Sequence, residues 1–234
     1  MKSRVEREVG AGQGAKPRVD GREVRGLRSR DAIVSALLAL IAEGHLVPTA
    51  QQVAERAGVG LRSVFRHFND RESLFAAMGE RVFASAAPIL LSDEPSGTLV
   101  ERARELVARR AQFFEQIAPY KRSANLRRAD SPFIKSRHAE LVRGLRADLL
   151  RRLPELADAR PDELEVLDAL TSFETWDRMR SDQGLSREHA HRALEEAVLA
   201  LVRKAVAGAR KAGPGAGSAA AARRSGKGAA AARK

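Results

Sequence analysis

Residues 49–78 constrain the fold of this chain more than any other stretch, because they place a glycine turn between two short helical patterns. The first pattern, residues 50–57, has one apolar helical face made of Val53, Ala54 and Ala57. Thr49 precedes it at the N-cap position, where a hydroxyl accepts a hydrogen bond from an unpaired backbone N–H. Gly58 is predicted to end the helix, since glycine enters the left-handed region without a Cβ penalty.

The second pattern, residues 61–68, predicts a helix with one apolar and one polar face. The apolar face is expected to hold Val64, Phe65 and Phe68, and the polar face Arg62, Ser63, Arg66 and His67. Two helices joined by a glycine turn, with the small Ala54 at their crossing, predict a helix-turn-helix. Cationic and hydrogen-bonding side chains on the outer face suit the major groove of DNA.

The spaced run T-A-x-x-V-A-x-x-A-G-V-x-x-x-S-V-F-R-H-F-x-x-R-E-S-L within this stretch resembles the DNA-binding signature of the TetR (tetracycline-repressor-like) family. The alternative is an ordinary helical hairpin with a solvated basic face. The resemblance implies a ligand-responsive, sequence-specific transcriptional regulator. In most members of that family a small effector releases a repressor from its operator by shifting a conformational equilibrium.

The resemblance also implies roles for individual residues. The base contacts are expected from Gln51, Leu61, Arg62 and Ser63, and the phosphate contacts from Thr49, Arg66, His67 and Arg71. Arg62 has the donor fork that pairs with the O6 and N7 atoms of guanine, and Arg66 could also reach a base. Phe65 stands where the family commonly has Tyr, so we expect it to be core, and Gly60 replaces the usual capping residue of the recognition helix.

The rest of the chain has apolar residues at helical spacing and no alternating strand pattern, which predicts an all-α protein of about nine helices. Further helices are predicted at about 28–42, from 71 to a stop around Pro88 to Pro95, at 98–117 with Pro119 ending it, and at 121–129, 132–153, 162–182 and 186–210. Asp70 and Ser186 are expected to cap two of them.

The domain organisation follows from these patterns. We expect a disordered basic arm at 1–27, a DNA-binding domain at 28–75, a helical ligand-binding and dimerisation domain at 76–212, and a disordered tail at 213–234. The net charge of +12 is concentrated at the ends: residues 1–30 and 213–234 hold about +5 each, and about +2 remains for the rest. Basic tails attract phosphate backbones non-specifically or merely solubilise the chain, and both readings stay open.

In TetR-like proteins the last two helices form a two-fold interface, so the resemblance implies a homodimer. The expected interface residues are Phe173, Leu194, Val198 and Leu201. The family's ligand cavity lies among the central helices, and the candidates for its lining are Phe113, Phe114, Ile117, Tyr120, Phe133, Trp176 and Met179. For every one of these residues, ordinary core packing is the alternative. Such a lining suggests an apolar effector, and no cluster of charged residues points to a particular ligand.

Other function classes are disfavoured by composition and motifs. The chain has no cysteine, which excludes disulfide scaffolds and thiol nucleophiles, and it lacks a signal peptide or an uninterrupted apolar run long enough for a membrane span. We therefore expect a cytoplasmic protein. No hydrolase, metalloprotease or nucleotide-binding motif stands in a credible context, so we expect no catalytic residues, no metal and no cofactor. The alternatives to a specific regulator are an architectural DNA binder driven by its tails and an all-α enzyme.

Overall fold

The computed structural model describes residues 21–91 and 93–212 of the chain, and within these ranges it is helical without strands. The α-helices are α1 Gly21–Ala42, α2 Ala50–Ala57, α3 Leu61–His67, α4 Arg71–Leu91, α5 Leu99–Asn125, α6 Pro132–Arg152, α7 Pro161–Leu170, α8 Phe173–Asp177 and α9 Arg187–Ala212. A 3₁₀ turn, Pro154–Asp158, precedes α7, and a π turn, Arg178–Asp182, follows α8. The all-α prediction is confirmed. Most of the predicted arm, and the whole tail at 213–234, lie outside the described residues.

Helix α1 begins earlier than its apolar pattern indicates. It was predicted from about residue 28, but it starts at Gly21 and includes the end of the predicted arm. Ser29 is not near a helix start; its hydroxyl donates to the carbonyl of Arg25 one turn earlier (3.0 Å). Residues 21–27 include two glycines and only two large apolar side chains, Val24 and Leu27, so the period that reveals the rest of the helix is missing there.

A first hydrophobic cluster unites helices α1 to α3 with the start of α4. Its buried members include Ile33 and Leu37 of α1, Val53 of α2, Val64 of α3 and Phe75 of α4. The guanidinium of Arg30 lies over the ring of Phe68 (5.1 Å to the centroid). Helix α1 therefore supports the two short helices from behind, since helices of seven or eight residues are marginal without tertiary packing.

Helix α4 contributes to both hydrophobic clusters of the molecule. Leu74 and Met78 pack in the first cluster, whereas Ala86 and Leu90 pack in the second. The predicted division after residue 75 stays a prediction. By length and composition alone α4 meets the criterion for a membrane-crossing helix, but 39% of its most apolar window is buried inside the protein.

Helix α4 contains Pro88 and ends at Leu91, within the stretch from 88 to 95 where its end was predicted, but Pro119, which was predicted to end a helix, lies inside one. Helix α5 continues through Pro119 to Asn125 and absorbs most of the short helix predicted at 121–129. Proline removes one backbone N–H and crowds the preceding turn. Burial on both sides of Pro119, by Ile117 and by Ser123, whose hydroxyl donates to the carbonyl of Leu46 (2.6 Å), holds the helix together. Tertiary packing therefore outweighs the tendency of proline to end a helix.

The helix predicted at 162–182 is interrupted. Helix α7 ends at Leu170, and the hydroxyl of Ser172 caps α8 by accepting from the N–H of Thr175 (3.3 Å). Between them, the carbonyl and hydroxyl oxygens of Thr171 each accept a hydrogen bond from Arg110 Nη1 (2.7 Å). Because the helix is interrupted, the carbonyl of Thr171 accepts from the buried guanidinium of Arg110. In a continuous helix that carbonyl would accept from a backbone N–H instead.

The second cluster, formed by α5 to α9, surrounds a buried charged network. Arg110, Asp148 and Arg152 are buried, and Asp148 Oδ1 accepts from Arg152 Nε at 3.0 Å. Arg110 Nη2 donates to the carbonyl of Leu145 and lies 4.0 Å from Asp148 Oδ2. Burial lowers the pKa of Arg110 to about 10, although the charge of Asp148 opposes this. The buried Arg110 and Arg152 thus share Asp148 as a counter-charge, and Arg152 also lies 3.8 Å from the partly exposed Glu105.

Candidate nucleic-acid interface and effector cavity

Local hydrogen bonds set the geometry of the helix-turn-helix. Thr49 and Gln52 form a capping box: the Thr49 hydroxyl accepts from the N–H of Gln52 (3.2 Å), and the Gln52 side chain accepts from the N–H of Thr49 (2.8 Å). Gly58 has φ 64°, in the left-handed region, and its N–H closes α2. Arg56 of α2 makes two hydrogen bonds of 2.7 and 2.6 Å to Glu43, which follows α1. These contacts fix α2 before the turn into α3.

Helix α3 presents an exposed, cationic outer face. Leu61 and Arg62 are exposed at its first turn, Ser63 is half-buried, and Arg66 is exposed one turn later. Gln51 is exposed at the start of α2, where its amide donates to Glu55 (2.7 Å). The four predicted base contacts therefore lie at the N-terminal ends of α2 and α3, and their role at bases stays a prediction.

Phe65 was predicted to be core, but its side chain is 57% exposed. Val64 and Phe68 fill the inner face of α3 by themselves, so Phe65 projects outward between the turns that carry Arg62 and Arg66. Sequence reasoning missed it because a large aromatic side chain next to Val64 resembles a core pair. Gly60, as expected, gives α3 no side-chain cap.

The four predicted phosphate contacts differ in exposure. Thr49, Arg66 and Arg71 are exposed, although the Thr49 hydroxyl is engaged in its capping box, whereas His67 is half-buried. The Nε2 atom of His67 is buried without a hydrogen-bond partner in the described structure. Burial lowers the pKa of the His67 imidazole, and the charges of Arg66 and Arg30 lower it further. Any phosphate contact of His67 must therefore use the other edge of its ring.

His67 is expected to make folding stability fall in acid. Its pKa in the folded protein lies below the value of about 6.5 in an unfolded chain, so its contribution is complete above that pH and is lost as the pH falls through the folded pKa. Urea unfolding at neutral and mildly acidic pH should show a smaller acid-induced loss for His67→Gln than for the wild type. The control is His189→Gln, an exposed histidine on α9. An unchanged pH dependence in His67→Gln would contradict the expectation.

A largely apolar cavity of about 150 Å³ lies where α4, α5 and α6 meet. Its apolar lining comes mainly from Phe75, Met78, Val82 and Phe83 of α4, Phe113, Ile117 and Tyr120 of α5, and Phe133, Ile134 and Leu141 of α6. Concave sites with an apolar lining and a few polar groups are typical of small-molecule binding. Phe75 and Met78 also belong to the hydrophobic cluster of the helix-turn-helix, so the cavity and the DNA-binding unit share a wall.

Only four of the seven predicted pocket residues line this cavity. Phe113, Ile117, Tyr120 and Phe133 line this cavity, whereas Phe114, Trp176 and Met179 do not. Phe114 is fully buried between the rings of Phe113 and Phe173 (5.7 Å between centroids in both pairs). The indole of Trp176 is buried and donates to Glu115 (2.9 Å), and Met179 packs beside the same core.

Three of the four predicted interface residues are already covered within one chain. Phe173, Leu194 and Val198 are at most 2% exposed, because they face the core formed by α5 to α9. These three side chains pack in the core of one chain, and their place at a subunit interface stays a prediction. Leu201 is only partly buried, and Val166 of α7, which was not predicted, is 52% exposed.

Charged residues at the cavity were also missed. Lys121, Arg137 and His138 line it beside the apolar side chains. Lys121 and His138 lie far apart in sequence, on two different helices, so no local pattern reveals that they meet.

Comparisons with known proteins agree with this architecture. The family model described as bacterial regulatory proteins of the tetR family matches residues 33–78. No curated protein sequence matches the chain. A transcriptional regulator from Rhodococcus sp. Rha1 is 20% identical over 77% of this chain and 97% of its own, with a TM-score of 0.59. A tetR-family transcriptional regulator from Streptomyces coelicolor is 19% identical over 77% of this chain and 89% of its own, with a TM-score of 0.57.

A multidrug binding protein, EbrR, solved in complex with imidazole, shares the fold at 19% identity, over 74% of this chain and 93% of its own, with a TM-score of 0.50. The family match covers the residues that build the helix-turn-helix, and the structural likeness extends through the helices around the cavity. The predicted resemblance is thus confirmed for residues 33–78. The chain carries a tetR-family domain there, in a fold that it shares with solved transcriptional regulators.

Proposed function

We propose that the protein is a ligand-responsive repressor that binds a DNA operator as a homodimer and leaves it when a small, largely apolar effector enters the cavity. The observation that carries this proposal is the shared wall: Phe75 and Met78 of α4 line the cavity and also pack in the core of the helix-turn-helix. A ligand that changes the position of α4 therefore changes the support of α3. The complex of the similarly folded EbrR with imidazole supports small-molecule binding in this fold.

Further contacts between the DNA-binding unit and the helices around the cavity favour such coupling. The Ser131 hydroxyl donates to Glu72 of α4, and the guanidinium of Arg127 lies 4.9 Å from the ring centroid of Phe75. The Ser123 hydroxyl of α5 donates to the carbonyl of Leu46, just before α2. Helices that border the cavity are thus bonded directly to the DNA-binding unit, and differential ligand affinity for two arrangements of these contacts produces release.

A homodimer is part of the proposal because one short recognition helix reads only a few base pairs. Two copies spaced by about one helical turn of DNA, roughly 34–36 Å, supply useful affinity. Val166 of α7 and Leu201 of α9 offer apolar surface for such an interface.

The test is fluorescence anisotropy with DNA from immediately upstream of the protein's own gene and with a scrambled fragment, each at low and near-physiological salt. We expect the native fragment to bind more tightly, and we expect a compound from an apolar library to release it. Equal binding to both fragments would refute sequence-specific regulation at that site. Specific binding that no compound releases would refute only the ligand response.

Filling the cavity is expected to block that response. Gly79 of α4 lines the cavity, and no atom lies within 4 Å of a Cβ added there, so Gly79→Leu places its side chain in open space. A releasing compound should need a concentration about tenfold higher or more, which corresponds to about 1.4 kcal/mol of lost binding. Gly144→Leu is the matched control, because Gly144 is also helical with free space but does not line the cavity. Equal release of both variants would show that the effector binds elsewhere.

A further inference from the structure

One end of the cavity holds a cluster of hydrogen-bond donors around an imidazole. Lys121 Nζ lies 3.0 Å from His138 Nδ1, and Arg128 Nη1 lies 3.0 Å from His138 Nε2. Lys121 also donates to Asn125 Oδ1 (2.8 Å), and its ammonium lies 5.4 Å from the ring centroid of Phe173. Both ring nitrogens of His138 therefore face cationic groups.

These contacts leave the cluster with more donors than acceptors. An ammonium and a guanidinium have N–H donors and no acceptor, whereas a neutral imidazole has one N–H and one acceptor nitrogen. If Nε2 accepts from Arg128, the Nδ1–H points at the ammonium of Lys121; if Nδ1 accepts from Lys121, the Nε2–H points at Arg128. In either tautomer one N–H of His138 meets another donor. An anion beside Lys121 and His138 would supply the missing acceptor.

The carboxylates near the cluster do not fill this role inside the cavity. None of the described residues that line the cavity is Asp or Glu. Glu174 lies 3.6 Å from Lys121 but does not line the cavity, and Glu140 is engaged with Arg137 (2.6 Å). The apolar cavity therefore ends in a positively charged wall.

We propose that the cavity binds an amphipathic monoanion, a carboxylic acid with an aromatic or short alkyl body, whose carboxylate accepts hydrogen bonds from Lys121 Nζ and the His138 ring. This inference rests on the proposed role of the cavity as the effector site. Phe113, Ile117 and Phe133 enclose the apolar body. Charge-assisted hydrogen bonds of this kind are stronger than neutral ones, particularly away from water.

The protonation properties of the two residues agree with this assignment. Burial lowers the pKa of the Lys121 ammonium, and Arg128 lowers it further, against the attraction of Glu174. Burial also lowers the pKa of His138, as do the charges of Lys121 and Arg128. Lys121 is thus a poorly solvated cation beside a neutral His138, and a bound carboxylate would replace the solvation that the ammonium loses.

Isothermal titration calorimetry of the full chain without DNA, using 4-phenylbutanoate and its neutral analogue 4-phenylbutanamide, tests the inference. We expect the acid to bind about tenfold or more tightly than the amide. Lys121→Met should remove this preference while the amide affinity changes by less than about twofold, which also shows that the variant is folded. Lys135→Met is the matched control, because Lys135 is exposed on α6 and does not line the cavity. It should keep the preference.

The outcomes separate the two proposals. If acid and amide bind with equal affinity, or if Lys121→Met keeps the preference, the carboxylate assignment is wrong and the cavity remains a ligand site. If neither compound binds at millimolar concentration, the carboxylate proposal fails together with the effector role of the cavity. DNA recognition is tested separately, by the anisotropy titration.

Discussion

Asp148→Asn is expected to lower the free energy of unfolding by about 3–5 kcal/mol, because it leaves two buried guanidinium groups without their shared counter-charge. Arg110 and Arg152 are each only 1% exposed, and Asp148 Oδ1 lies 3.0 Å from Arg152 Nε. For a chain of this size, that loss corresponds to a melting temperature roughly 6–20 °C lower. Urea and thermal unfolding of the purified variant would measure it.

A surface substitution provides the matched control. Glu165→Gln makes the same carboxylate-to-amide change in an exposed pair, in which Glu165 lies 2.7 Å from Arg146 and its side chain is 65% exposed. Such pairs contribute about 0–1 kcal/mol, because water and salt screen them. If Asp148→Asn costs no more than Glu165→Gln, the buried network does not depend on its negative charge and the explanation given for it is wrong.

Arg62→Ala is expected to remove most of the discrimination between operator and scrambled DNA. A bidentate contact of arginine with guanine contributes about 1–3 kcal/mol, and the proposed dimer would hold two copies, so the expected loss amounts to about 2–6 kcal/mol. Arg62 is exposed at the first turn of α3, where a side chain enters the major groove. The anisotropy titration with the two DNA fragments measures the ratio of affinities directly.

Two further variants make the result specific to base recognition. Arg143→Ala removes the same charge from an exposed position on α6 and should leave the ratio unchanged. Arg66→Ala, at a predicted phosphate contact, should weaken binding to both fragments alike and reduce the salt dependence. If Arg62→Ala weakens both fragments equally, Arg62 contacts the backbone and the base contact must be sought at Gln51, Ser63 or the exposed Phe65.

Interactions within a few residues of one another were predictable. The capping of α2 by Thr49, its end at Gly58 and the capping of α4 by Asp70, whose Oδ1 accepts from the N–H of Ser73 (2.7 Å), each depend on contacts spanning two to four positions. The spacing of apolar residues likewise indicated most helices and the inner faces of α1 and α2. Together with the helix-turn-helix signature, these local signals were sufficient for the fold class and for the location of the helix-turn-helix.

The position of Phe65, the passage of α5 through Pro119 and the interruption after α7 were decided by tertiary structure. In each case packing in the folded chain determines the outcome: Val64 and Phe68 already fill the space under α3, burial on both sides supports Pro119, and Arg110 takes the carbonyl of Thr171. Residue type and the spacing of apolar residues do not determine which of several apolar or charged side chains is buried in the folded protein.

For the same reason, the candidate DNA-binding surface could be predicted from the sequence more fully than the cavity. The DNA-binding surface is built from one continuous stretch, so its residues could be named from the sequence. The cavity draws on α4, α5 and α6, and its charged end joins Lys121 to His138 and Arg128 across the α5–α6 connection. Local sequence determined which helices exist and how they are capped. Only the packing of those helices decided which apolar residues line a cavity, which are core, and where positive charge meets the cavity wall.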